Sequence, residues 1–125
     1  NSYLVPAHST RVFVDGECDV VCTIGYNPDR LPKGYSFDEI DVRQVYTNLG
    51  VFDFRGPNRQ MQIVSLHPGV TVEEVQENTG FPVHVPDTIP TTTAPTEEQL
   101  EIIRRIDPHN LRAKQLKDNP PGVRG

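Results

Sequence analysis

Short apolar runs, many of them rich in β-branched residues, recur along the first two thirds of the chain and predict β-strands. Turn signals separate these runs at Asp15-Gly16, at Leu49-Gly50 and over residues 55–58. Residues 25–37 are punctuated by proline and glycine and predict a loop. The predicted strands are Arg11–Val14, Asp19–Ile24, Val42–Asn48, Val51–Phe54, Met61–Leu66 and Phe81–Val85.

The pattern changes to helical signals at Thr71. Thr71 and Glu74 have the spacing of a capping box, in which each side chain binds a free backbone N–H at the start of a helix. Asn78, Thr79 and Gly80 predict the end of this helix, with Gly80 in the left-handed conformation.

A second capping box, Thr96 to Gln99, predicts a helix with Leu100, Ile103 and either Ile106 or Ile102 on one side. Asp107-Pro108 predicts the cap and first residue of one more short helix.

The 125 residues are sufficient for one small core, and 12 prolines indicate short elements joined by many turns. Three prolines between Pro86 and Pro95 exclude a regular helix and permit only edge-strand pairing. We predict a sheet-rich α/β core over 1–85, a proline-rich arm over 86–95, helices over 96–118 and a flexible tail over 119–125. The fold class is α/β, with an open mixed sheet and short flanking helices.

The net charge of −5 and the absence of tryptophan disfavour nucleic acid as a partner, since binding requires a basic face interleaved with aromatic residues. The basic residues Arg104, Arg105, Arg112, Lys114 and Lys117 form only a small group. No apolar run approaches the ~20 residues that cross a bilayer, and no signal-peptide pattern is recognisable. We expect a cytoplasmic protein without membrane contact.

Two cysteines, Cys18 and Cys22, lie in a stretch predicted to be a strand. Four residues of strand span about 13 Å, whereas a disulfide requires Cα atoms within about 7 Å. No histidine lies near enough in sequence to complete a metal site. Two reduced, buried thiols are the favoured interpretation.

The histidines are His8, His67, His84 and His109, and their spacing fits no zinc-binding pattern. His67 follows Ser65 at a strand-to-helix junction, where α/β folds place ligands. A Ser-x-His pair suggests a nucleophile and a base, but residues two apart on a strand merely share a face. A hydrogen-bonded loop histidine is favoured over a catalytic one.

The acidic residues suggest no reaction either. The pairs Glu73-Glu74 and Glu97-Glu98 fit the first turns of helices. Residues Asp38, Glu39 and Asp41 lie in a predicted loop, where solvation explains them. Asn48–Gly50 matches no phosphate-binding fingerprint.

Several long motifs resemble the end of class I CoA-transferase β subunits. They are Asn-Leu-Gly-Val-Phe-Asp-Phe (48–54), the ungapped stretch Ser65–Phe81 (Ser-Leu-His-Pro-Gly-Val-Thr-Val-Glu-Glu-Val-Gln-Glu-Asn-Thr-Gly-Phe), Pro-Thr-Glu-Glu-Gln-Leu (95–100) and Ile-Asp-Pro (106–108). Arg-Val-Phe-Val (11–14) followed by Asp-Val-Val (19–21) resembles a strand pair of the same family, so the resemblance covers roughly residues 2–108. Residues 1–8 and 19–26 resemble the branch whose complexes hydrolyse a ring of a CoA-linked steroid catabolite.

This resemblance implies the C-terminal half of a β subunit, in an αβ enzyme that acts on acyl-CoA thioesters without a metal. Its partners would be an α subunit and the N-terminal half of the same β subunit. Transferases of the family use a glutamate that attacks the thioester carbonyl. That glutamate lies upstream of the matching region, and in the ring-cleaving branch the carboxylate is expected from the α subunit. We therefore assign no catalytic, cofactor-binding or metal residue to this chain.

Two alternatives from other classes remain. The chain could be a non-catalytic interaction subunit, whose arm over 86–95 wraps a partner. It could also be a stand-alone thioester-binding domain.

Overall fold

The structure is a computed structural model that describes residues 1–20 and 25–114. The chain forms two compact units, Asn1–Thr92 and Thr93–Gly125. The predicted tail over 119–125 lies outside the described residues. No helix among the described residues is long and apolar enough to cross a membrane.

The first unit is built on a four-stranded mixed sheet in the order β1-β2-β3-β4. The strands are β1 (Ser2–Val5), β2 (Gln44–Thr47), β3 (Gly50–Asp53) and β4 (Gln62–Leu66). β1 pairs with β2 in parallel, and the other two pairings are antiparallel. An open mixed sheet with few helices is the fold class that the sequence predicted.

One face of the sheet carries the core. Val45 pairs with Phe52 and Phe52 with Ile63, so these three side chains lie side by side. Phe52 and Ile63 are almost fully buried. Val75 of the first helix, with Phe13, Leu49, Met61, Leu66 and Val83, completes the buried cluster. Burying side chains of this size stabilises the unit by roughly 1.5–3 kcal/mol each.

Helix α1 (Val72–Glu77) begins at Thr71, as predicted, and the Thr71 hydroxyl accepts the Glu74 N–H. It ends at Glu77 with Asn78 as its cap, close to the predicted end. The left-handed conformation predicted for Gly80 is wrong. Gly80 is needed for another reason: a Cβ there would lie 2.7 Å from the Phe13 carbonyl oxygen and from the Asp15 nitrogen. The Gly80 N–H donates to that same carbonyl at 2.7 Å. The glycine therefore permits a close approach of two backbone segments.

The prediction of a strand at Arg11–Val14 is wrong. The N–H groups of Val12 and Phe13 both donate to the Ser9 carbonyl, which closes a turn. The apolar character of this run reflects the burial of Phe13, and Val12 stays exposed. The hairpin expected at Asp15-Gly16 is therefore absent from the described residues, although Gly16 has the positive φ of a turn.

The N-terminal half of the sheet also differs from the prediction. Asp19 and Val20 are not in a strand, and the rest of the predicted strand, residues 21–24, lies outside the described residues. The strand beside β2 is instead β1, which the hydrophobic pattern did not predict. Its residues alternate between half-buried and exposed over only four positions, which is a weak periodic signal.

The prediction of a strand at Phe81–Val85 is wrong, since this segment makes only one parallel bridge, from His84 to Gln62. Further along, Thr91 makes a second parallel bridge to Leu66. The Leu66 N–H donates to the Pro90 carbonyl at 3.1 Å, and the Thr92 N–H donates to the Leu66 carbonyl at 2.7 Å. The proline-bearing segment thus pairs along the outer edge of β4, in the only mode that its prolines permit.

The second unit contains α2 (Glu97–Ile106) and α3 (Leu111–Lys114). The predicted capping box is complete, because Thr96 accepts the Gln99 N–H and the Gln99 side chain accepts the Thr96 N–H. The prediction that Asp107 and Pro108 begin the last helix is wrong: Asp107 ends α2, and α3 begins at Leu111. The Asp107 carboxylate nevertheless accepts the Leu111 N–H, and this hydrogen bond is the main cause of its lowered pKa.

Candidate functional site

Ser65 and His67, the pair that the sequence singled out, do not bond to each other. Both bind the hydroxyl of Thr92: Ser65 Oγ lies 2.8 Å and His67 Nδ1 lies 3.0 Å from Thr92 Oγ1. The other ring nitrogen of His67, Nε2, lies 2.9 Å from the carbonyl oxygen of Thr47.

These partners determine the direction of each hydrogen bond. A carbonyl oxygen only accepts, so His67 carries a proton on Nε2 and, when neutral, accepts at Nδ1 from the Thr92 hydroxyl. Thr92 has then used its single hydrogen, and its oxygen accepts from Ser65. Both nitrogens of His67 are engaged by the protein, which supports a hydrogen-bonded histidine that joins β4, the end of β2 and the segment after Pro90.

His8 forms a second polar cluster on the core side of the sheet and is only 5% exposed. Its Nε2 lies 2.9 Å from Thr79 Oγ1, and its Nδ1 lies 3.1 Å from Thr47 Oγ1. Its ring stacks on Phe13 with ring centroids 4.1 Å apart. The Thr79 hydroxyl donates to the Val75 carbonyl, so its oxygen accepts the proton on His8 Nε2.

This environment disfavours a charged ring at His8. The Thr47 hydroxyl oxygen already accepts the N–H groups of Leu49 and Gly50, so it lacks a lone pair for a second ring proton. Burial lowers the pKa of His8 from 6.5 to about 4. His8 is therefore a neutral structural histidine at physiological pH.

The same hydrogen bonds explain residues 48–50, which match no phosphate-binding fingerprint in the sequence. The N–H groups of Leu49 and Gly50 point at Thr47, and the Asn48 side chain accepts the His8 N–H at 2.7 Å. These amides are committed to the turn between β2 and β3 and do not form an anion-binding loop.

The carboxylates named from the sequence lie in the first turns of helices and in the segment before β2. Glu73 and Glu74 lie in the first turn of α1, and Glu97 and Glu98 lie in the first turn of α2, as predicted. All four are exposed, and Glu97 pairs with Arg104 at 2.9 Å. Asp38 and Glu39 lie in a short 3-10 helix, Phe37–Glu39. No group of histidine, cysteine and acidic side chains within 1–20 and 25–114 could hold a metal ion.

Cys18 is exposed rather than buried, so that part of the cysteine prediction is wrong. It lies outside any strand, which removes the reason to expect burial. Cys22 lies outside the described residues.

A groove of about 690 Å³ opens on the sheet face opposite the core. Asp53, at the end of β3, lines it between Arg43, Arg55 and Arg59. The remaining lining residues are Tyr26, Ile40, Asp41, Val42, Gln44, Phe54 and Val64. The Tyr26 ring packs against Phe54, with centroids 5.4 Å apart, and forms one wall.

Asp53 is the unusual group in this groove, because its side chain is only 9% exposed yet incompletely paired. Its Oδ1 accepts the Arg55 N–H at 3.1 Å. Its Oδ2 lies 3.7 Å from Arg55 Nε, beyond hydrogen-bonding distance. Asp53 was not predicted as a site residue, and the available signal was a single carboxylate inside the apolar run 51–54.

The other charges that line the groove are paired at its exposed rim. Arg43 donates to Asp41 at 2.7 Å, and this hydrogen bond is the main cause of the lowered pKa of Asp41. Arg59 pairs with Asp38 at 2.9 Å, and its guanidinium carbon lies 5.0 Å from the centre of the Tyr26 ring. Arg59 and Asn58 both have positive φ, a costly conformation outside glycine. The exposed ion pairs Arg43–Asp41 and Arg59–Asp38 contribute little to stability, because solvent screens them.

Comparison with known proteins defines the class of this chain. No protein-family model matches it. It is 46% identical over 118 residues to the cholesterol ring-cleaving hydrolase IpdB subunit of Mycobacterium tuberculosis, covering 93% of this chain and 46% of that protein. It is 36% identical over 63 residues to one of the subunits of the 3-oxoadipate CoA-transferase of Pseudomonas knackmussii, covering 50% of this chain and 24% of that protein.

The crystal structure of Rhodococcus jostii IpdAB matches the fold with a TM-score of 0.79 and 39% identity, covering 92% of this chain and 46% of that one. The chain belongs to the CoA-transferase family, as a β-subunit sequence. Of the two curated relatives named, the ring-cleaving hydrolase subunit is the more similar, as the motifs in residues 1–8 and 19–26 indicated. It spans about half the length of the curated relatives that it matches.

Proposed function

We propose that this chain is the C-terminal half of the β subunit of a CoA-transferase-family enzyme that acts on acyl-CoA thioesters. The favoured reaction is hydrolytic cleavage of a ring in a CoA-linked catabolite, and CoA transfer between carboxylic acids is the second candidate. The observation that carries the proposal is the 46% identity, over 93% of this chain, to a cholesterol ring-cleaving hydrolase subunit.

The geometry supports a scaffolding role within that enzyme. Both histidines of the polar clusters are saturated by hydrogen bonds within the chain. The carboxylates in the helix first turns are exposed. Covalent attack on a thioester requires a nucleophile that is held against the carbonyl carbon, and no described group has that environment. We therefore assign the catalytic carboxylate to a partner, either the α subunit or the remaining half of the β subunit.

The thioester of coenzyme A would be the substrate, with no metal required. The 3-oxoadipate CoA-transferase supports this substrate class, because its name states transfer of CoA. The α subunit is the expected partner because the matching IpdAB structure is a heteromeric complex. A cytoplasmic location stays a prediction.

Reconstitution tests the proposal. The complete β subunit should co-purify with its α subunit and turn over a ring-containing acyl-CoA. Incubation of residues 1–125 alone with an acyl-CoA, followed by borohydride or hydroxylamine trapping, should leave the mass of the chain unchanged. A stoichiometric adduct on any Glu or Asp of this chain would show that the active site lies here.

The alternatives predict other results. A non-catalytic interaction subunit would co-purify with a partner, but the complex would show no thioester chemistry. A stand-alone thioester-binding domain would bind an acyl-CoA as a purified monomer, and its affinity would not change when an α subunit is added.

A further inference from the structure

The outer face of the sheet, opposite the core, is only partly covered. Leu4 and Tyr46 are paired residues on neighbouring strands, so their side chains lie together on this face. Leu4 is 79% exposed and Tyr46 is 39% exposed. They belong to the parallel pair β1–β2, and parallel strands are normally buried on both faces.

The Asp53 groove continues this uncovered face. Tyr46 pairs with Val51, and Asp53 follows Val51 by two residues, so all three side chains lie on the outer side of the sheet. Gln44 of β2 lines the groove beside Asp53. An exposed apolar area therefore runs into a groove whose floor holds a buried carboxylate.

The state of Asp53 indicates what completes this surface. Its Oδ2 accepts no hydrogen bond from the described residues and stays open to the groove, so it is available to a further donor. Arg55 forms only a long ion pair with Oδ2, with Nε at 3.7 Å, and its side chain is 86% exposed. A guanidinium or ammonium group that enters the groove would supply the missing donor.

We infer that the outer sheet face, defined by Leu4, Tyr46 and the Asp53 groove, is the docking surface for the remaining half of the same β subunit. The docking segment presents an arginine or lysine that binds Asp53, beside apolar side chains that cover Leu4 and Tyr46. This inference rests on the proposed function, which makes the chain part of a longer subunit. The matched relatives are long enough to contain such a docking segment, since this chain covers only 46% of the IpdB subunit.

Photo-crosslinking within the complete β subunit, in complex with its α subunit, tests the docking. Replacing Tyr46 with p-benzoylphenylalanine puts a crosslinker of similar shape on the outer face. Tyr35 provides the control, because it is a more exposed aromatic residue that does not line the groove. After irradiation, peptide mapping should find Tyr46-dependent crosslinks to the other half of the β subunit, near an arginine or lysine, and no such crosslink from position 35.

A charge-neutral variant provides a second measurement. Asp53→Asn keeps an oxygen for the Arg55 N–H but removes the negative charge, so it should lower the thermal midpoint of the complete subunit by roughly 3–10 °C. Asp41→Asn alters an exposed carboxylate at the rim of the same groove and should leave the midpoint nearly unchanged. The Asp53 variant should also lose most of the Tyr46 crosslink.

Three results would overturn the inference: crosslinks to the α subunit, crosslinks to a second copy of this chain, or an Asp53→Asn variant with an unchanged midpoint. A different result would refute the proposed function. A complex that gives the predicted crosslink but no reaction with acyl-CoA would retain the docking surface and refute the enzymatic assignment.

Discussion

Lowering the pH from 7 to 5 should destabilise the unit Asn1–Thr92 because of His8. The pKa of this ring is about 4 in the folded protein, against 6.5 as its ordinary value. Between these two values the unfolded chain binds a proton that the folded chain does not, so stability falls as the pH falls. The physical cause is burial, together with the shortage of an acceptor for a second ring proton at Thr47.

The size of the effect follows from the pKa difference. Each pKa unit corresponds to about 1.4 kcal/mol, so the full loss below pH 4 is about 3 kcal/mol, and about 2 kcal/mol of it is reached by pH 5. This is a large part of the 5–15 kcal/mol that stabilises a typical domain.

Urea unfolding at pH 7, 6 and 5 measures this loss of stability. Far-UV circular dichroism detects the unfolding, because the chain has no tryptophan whose fluorescence could be monitored. His8→Gln retains one donor and one acceptor but cannot be protonated, so it should remove most of the pH dependence. The control variant His109→Gln removes an exposed histidine and should keep the pH dependence of stability. Equal pH slopes in the wild-type and His8→Gln proteins would refute the reasoning.

Three further variants test local structure by urea unfolding. Thr92→Val removes the hydroxyl that joins Ser65 and His67 and should lower the free energy of unfolding by about 1–3 kcal/mol. Thr91→Val, at the neighbouring exposed position, should lower it much less. Gly80→Ala should cost about 1–3 kcal/mol because its Cβ would collide with backbone atoms of Phe13; a neutral result would show that the two segments can separate freely. Thr96→Ala should cost about 1 kcal/mol and speed amide exchange in the first turn of α2, and unchanged exchange would contradict the capping role.

Local chemistry decided which parts of the fold could be predicted. The helix starts at Thr71 and Thr96 were predicted correctly, since capping is specified by residues within one turn. The hairpin of β2 and β3 was predicted by apolar runs around a short turn. The strand predictions at Arg11–Val14 and Phe81–Val85 were wrong because Phe13 and Val83 are buried by contacts with distant segments rather than by pairing in a sheet. Such tertiary burial leaves the same composition as a strand.

The site residues show the same limit. The sequence identified His67 and Ser65 by their spacing, but Thr92, which joins them, lies 25 residues beyond His67. Asp53 was missed because one carboxylate in an apolar run carries no spacing signal. The family resemblance came from an extended ungapped motif and was confirmed by the comparisons.

Mass analysis of the product tests the central claim most directly. The complete β subunit, reconstituted with its α subunit, should convert a ring-containing steroid-derived acyl-CoA into a product heavier by one water, with the thioester intact. Carrying out the reaction in ¹⁸O-labelled water should place the label in that product. Recovery of unchanged substrate from an intact, folded complex, or movement of CoA to an added carboxylic acid without ring opening, would contradict the account.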